Sequence, residues 1–174
     1  DKVCSTLTNN GFDVLLIGRK LKESVPVSRD YQTSRINLLF TKGALFYAFF
    51  NLRLFFKLLF IKADVFHAND LDTLLANRWA SKLRRKPLIY DSHEYFTGVP
   101  EIQDRPKVKK AWEKIEKSIF PKLKYIFTVN QSIADLYRTQ YNIKVQVLRN
   151  VPKSDDLNKN KSRRALGIPL DKTI

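Results

Sequence analysis

Short apolar runs alternate along the chain with longer stretches whose apolar positions recur at helical spacing. Phe12–Gly18 (FDVLLIG) is apolar and bounded by turn residues, which predicts a strand buried on both faces. Residues 2–10 before it read as a helix ended by Gly11, which can take the left-handed conformation. A polar link with Pro26 leads to a second predicted strand around Ile36–Phe40. Ala44–Ile61 (ALFYAFFNLRLFFKLLFI) then reads as an aromatic-rich helix, expected to be mostly buried. Its Arg53 and Lys57 lie at i,i+4 and share one stripe that would face water or lipid headgroups.

Asp64–Ala68 (DVFHA) predicts a third strand. Leu71, Leu75, Trp79 and Leu83 recur every fourth residue and predict a buried helix stripe, with Asn77, Ser81, Arg84 and Arg85 opposite. Pro87–Asp91 reads as a strand. Pro106 suits the first turn of a helix that turns Val108, Trp112, Ile115 and Ile119 inward. Tyr125–Val129 (strand), Ser132–Tyr141 (helix) and Val145–Leu148 (strand) complete the series.

Strands alternating with helices predict an α/β fold, a parallel sheet with helices on both faces. From Lys153 the text turns polar (SDDLNKNKSRR), and ALGIPLDKTI looks like the opening of something new. The expected domain is therefore 1–152, with 153–174 a linker and the start of another unit.

Length and composition narrow the partners. The chain has 174 residues, 44% of them apolar, which suits one packed domain and excludes a disordered one. Lys and Arg number 32 against 17 acidic residues, for a net charge of +15, so an anionic partner is expected. The single cysteine, Cys4, excludes a disulfide framework and fits a reducing compartment. Methionine is absent even at position 1, so the text reads as starting within a longer protein.

In an open parallel sheet, ligands bind beyond the carboxyl ends of the strands, and polar residues gather at those ends here. They are His67, Asn69 and Asp70; Asp91, Ser92, His93 and Glu94; Asn130, Gln131 and Ser132; and Arg149 with Asn150. Plainer roles compete. Asp70 could cap the helix starting at Leu71, Asn130 or Ser132 could cap the next, and His67 could be an interior histidine. Asp91 to Glu94 favour function, because four consecutive polar side chains leaving a buried strand are costly without partners. His67, Asp70, Asp91, His93 and Glu94 have nitrogen and oxygen donors but no metal-site spacing, so no metal is expected. G-x-S-x-G, G-x-G-x-x-G and Walker motifs are all missing. The basic runs KLRRK (Lys82–Lys86) and KVKK (Lys107–Lys110) lack interleaved aromatics, which argues against nucleic acid.

Taken in order, HAND, YDSHEYF, FTVNQSIADLY and RNVP resemble the N-terminal half of a bacterial glycosyltransferase of family 4, a retaining enzyme of the GT-B fold. The resemblance implies a Rossmann-like, doubly wound acceptor-side domain that lacks its first strand here. The donor-binding domain would begin in 153–174. The implied substrates are a nucleotide-sugar donor and a glycan, lipid-linked or polysaccharide acceptor, with no cofactor or divalent metal. His93 would reach the donor sugar, with Glu94 beside it in the catalytic role. Asp91, His67, Asn69, Asp70, Asn130, Ser132, Arg149 and Asn150 would bind substrate or orient His93. The expected setting is cytoplasmic and peripheral on the inner face of an anionic membrane, and the fragment alone is expected to be inactive and to self-associate through an open strand edge. The rival reading is a non-enzymatic basic module for anionic membrane or nucleic acid.

Overall fold

A computed structural model describes residues 2–151 together with Pro169. In chain order the elements are α1 (Lys2–Asn9), β1 (Leu15–Lys20), β2 (Gln32–Asn37), α2 (Gly43–Phe60), β3 (Phe66–Asn69), α3 (Asp70–Arg84), β4 (Leu88–Ser92), α4 (Pro100–Gln103), α5 (Pro106–Ile119), β5 (Tyr125–Thr128), α6 (Gln131–Tyr141) and β6 (Gln146–Val147). Short 3-10 turns, Phe96–Gly98 and Phe120–Lys122, precede α4 and β5. The predicted linker and second unit lie outside the described residues, apart from Pro169.

Every strand pair is parallel, and helices flank the strands in a Rossmann-like α/β arrangement. The strands form two sheets: β1 beside β2, and β3-β4-β5-β6 in spatial order. Among the described residues no strand joins the two, so the expected sheet is interrupted. β1 starts at Leu15 rather than Phe12 and buries none of its residues, because β2 is its sole strand neighbour. Burial on both faces belongs instead to β4, four of whose five residues are buried.

The helix faces bring two corrections. In α3 the predicted stripe is wrong: Trp79 is 55% and Leu83 68% exposed, while Asn77 and Ser81 are buried with Leu71, Leu74, Ala76 and Ala80. Small residues let α3 approach its neighbours closely. The two polar side chains satisfy themselves on their own helix, Asn77 donating to Thr73 O (3.0 Å) and Ser81 to Arg78 O (3.0 Å).

In α2 only Phe50, Asn51, Leu54 and Leu58 are buried, so the helix is not mostly interior. It is packed from one side. Asn51 pins it to α3, donating to Asp72 O (2.8 Å) and accepting from Ala76 N–H (3.1 Å). Arg84 closes the other end by donating to Leu58 O and Ile61 O. On α5 the inward face holds, with Trp112 and Ile119 buried and Val108 and Ile115 packed against the core.

Behind β4 and β5 sits an aromatic cluster. Phe120, fully buried, lies 5.1 Å from the ring of Tyr90, 5.0 Å from Tyr137 and 5.1 Å from Tyr141. Tyr137 also reaches the site, because its hydroxyl lies 3.0 Å from that of Ser92. Ser92 spends its proton on Glu94 O (2.7 Å), so Tyr137 is the donor of that pair.

Candidate active site

Parallel pairing sets Asn69 beside Asp91, and Ser92 beside Thr128, so the ends of β3, β4 and β5 open on one edge. Asp91 is the hub there, its side chain only 6% exposed. Its Oδ2 lies 3.2 Å from His93 Nε2 and 3.7 Å from His67 Nε2. Burial pushes the Asp91 carboxyl up, but the imidazoles of His67 and His93 outweigh this and hold it below the usual carboxylate range. An ionised carboxylate only accepts, so His93 Nε2 carries the proton toward Oδ2. Nδ1 of His93 is left for a ligand, on a side chain 45% exposed.

Asp70 is not the helix cap that its position suggests. Its Oδ1 accepts the backbone N–H of His93 (2.8 Å), tying the start of α3 to the turn after β4. Its backbone is left-handed (φ 56), a conformation that aspartate and asparagine adopt more readily than other residues with a Cβ. Burial raises the Asp70 carboxyl, although the donated N–H and the His93 ring oppose it.

The other predicted residues divide. Glu94 is exposed, its side chain has no hydrogen bond among the described residues, and burial followed by the charges of Asp70 and Glu101 raises its carboxyl. Asn69 sits at the end of β3 with no capping bond from its side chain. Asn130 is a cap, Oδ1 accepting from Ile133 N–H (2.9 Å). Ser132 is exposed on α6, Arg149 is exposed beyond β6, and Asn150 accepts from Lys2 Nζ (3.1 Å). The structure thus brings His67, Asp70, Asp91 and His93 into contact, with Glu94 next in chain. Asn130, Ser132, Arg149 and Asn150 lie at the ends of β5 and β6 without touching that group.

Residues 2–152 match the family model for Glycosyltransferase Family 4. The chain belongs to this glycosyltransferase family. Transfer of a glycosyl group is therefore its chemistry at the family level, rather than that of a passive basic module. No curated protein matches the chain.

One carboxyl close to Asp70 was not singled out by the sequence. Asp72, in the first turn of α3, is pushed up to about 6 by burial and by the charge of Asp70. Only the clustering of Asp70 and Asp72 ahead of an apolar helix hinted at it.

Asp72 should leave a mark on stability. Its folded value exceeds the ordinary Asp value of about 3.9, so the native state holds the proton more tightly. Stability should fall as pH rises from about 4 to about 6 and stay lower above, by on the order of 1–3 kcal/mol. Asp91 acts oppositely: its contribution is present above the unfolded value and lost as acid titrates it below about 4. Urea midpoints measured across this range should show Asp72→Asn flattening the upper fall and gaining stability at neutral pH. An unchanged profile would refute the assignment.

Proposed function

We propose that the chain forms the acceptor-side domain of a retaining GT-B glycosyltransferase acting on a nucleotide sugar. Its acceptor is a glycan, lipid-linked or polysaccharide hydroxyl, and the reaction runs in the cytoplasm without a divalent metal. One observation carries this reading: a buried carboxylate, Asp91, faces two imidazoles, and the more exposed one, His93, has no hydrogen bond on its second nitrogen among the described residues.

In the reaction, the bond between the anomeric carbon and the diphosphate oxygen breaks, and the acceptor oxygen bonds to the same face of that carbon. The acceptor's proton leaves with the diphosphate. His93 Nδ1 hydrogen-bonds the donor sugar as charge develops on it, held at a set angle by Asp91 and at a set depth by Asp70. Glu94, next to His93 in the turn after β4, would bind acceptor hydroxyls, and Arg149, exposed beyond β6, would contribute a cation toward the diphosphate. Preorganisation supplies the catalysis, because the imidazole is oriented before substrate arrives.

The full-length protein should release nucleoside diphosphate from a sugar nucleotide at an undiminished rate in EDTA. The product should keep the donor's anomeric configuration, as read by proton NMR coupling constants. Inverted configuration, or activity abolished by EDTA and restored by a divalent ion, would overturn the reading.

A further inference from the structure

By length and composition α2 is a helix that could cross a membrane. Its inner side is committed to protein, since Phe50, Asn51, Leu54 and Leu58 are buried and Asn51 is bonded to α3. The outer side is the unusual one. Leu45, Leu52, Phe56 and Phe60 follow i, i+7, i+11 and i+15, so they share one face, and all are exposed, Phe60 at 86%. Polar residues normally occupy the outward face of a surface helix. Four large apolar side chains in register there mark a contact surface rather than scattered exposure.

Charge says what the contact is. A groove of about 470 Å³ between β2 and α2 brings Arg35, Arg53 and Lys57 together beside Phe56 and Phe60. Cations therefore border the apolar face along one flank. Exposed Trp79 on neighbouring α3 carries a further cation, with Lys82 Nζ 5.7 Å from its ring centre. A second copy of this chain would set those cations against their own images, in a molecule of net charge +15. An anionic bilayer suits both halves of the surface: aromatic rings enter the headgroup boundary while guanidinium and ammonium groups meet lipid phosphates.

We propose that α2 lies flat on an anionic lipid surface, with Leu52, Phe56 and Phe60 inserted and Arg35, Arg53 and Lys57 binding phosphate in the adjoining groove. This inference stands on exposure and charge and does not depend on the transfer reaction proposed above.

The test is co-sedimentation of the full-length protein with vesicles of phosphatidylcholine alone and with added phosphatidylglycerol. Binding to the anionic vesicles should be stronger by about tenfold or more and should weaken with salt. Phe56→Ser with Phe60→Ser should weaken it about tenfold, as should Arg53→Glu with Lys57→Glu. Lys110→Glu with Lys114→Glu, on the outside of α5, removes the same charge and should change it far less. Retained melting temperatures establish that the α2 variants fold. Absence of binding, binding indifferent to both α2 pairs, or an equal loss in the α5 pair would overturn the proposal. So would a dimer that Phe56→Ser with Phe60→Ser dissolves in a protein that ignores lipid.

Discussion

Replacing His93 by Ala in the full-length enzyme should lower turnover by about 10²–10³-fold, the usual cost of removing one preorganised hydrogen-bonding group from a charge-developing centre. Its side chain is 45% exposed and, among the described residues, its ring bonds Asp91 alone, so the melting temperature should barely move. The Asp91 variants separate catalysis from positioning. Asp91→Asn keeps the volume but presents an amide to His93 Nε2, so the ring can turn or take the other tautomer. Turnover should fall nearly as far, with an altered pH profile. The double variant His93→Ala, Asp91→Asn should be no slower than His93→Ala alone, because Asp91 acts through the ring. Near-normal turnover in His93→Ala would remove this histidine from the mechanism. Additive losses would give Asp91 a separate role.

The largest loss of stability should come from Phe120→Ala. The ring is fully buried and lies within about 5 Å of three tyrosine rings, so its removal leaves a cavity that rigid neighbours cannot fill. Such truncations cost about 3–5 kcal/mol, against a total of about 5–15 for an ordinary domain. The denaturant midpoint should drop accordingly at unchanged m-value, and Phe120→Leu should recover much of it. Activity should fall as well, since Tyr137, packed edge-on against Phe120, donates to Ser92 at the base of the His93 turn. A midpoint within about 1 kcal/mol of the parent would show that the cluster repacks freely.

Much of this architecture can be read from the text of the chain. The runs DVFHA, PLIYD and YIFTV are apolar and β-branched or aromatic, and they become β3, β4 and β5 within two residues. Their polar ends converge because parallel strands end on one edge, which is why His67, Asp91 and His93 meet. Periodicity failed where size and self-satisfaction overrode it. Ala76 and Ala80 face inward because they are small, and Asn77 and Ser81 because they bond their own helix, so Trp79 and Leu83 were displaced to the surface. Glu116 escaped for a like reason. It is fully buried on α5, its carboxyl raised by burial, and its Oε1 accepts the Tyr141 hydroxyl from a helix distant in sequence. The length and apolarity of α2 predicted a helix but not its outward side, because composition does not count neighbours. Asp70 looked like a cap because a capping residue and a cross-strand acceptor use the same short carboxylate.

That last ambiguity restricts what position 70 can become over evolutionary drift. A replacement must tolerate the mirror-image turn of the chain and also offer a short oxygen to the amide of residue 93. Glycine meets the first demand only, glutamate neither comfortably, and asparagine both. Among descendants of this sequence, substitution there should be confined to a single exchange of oxygen for nitrogen, while positions 69 and 71 on either side wander under ordinary packing rules.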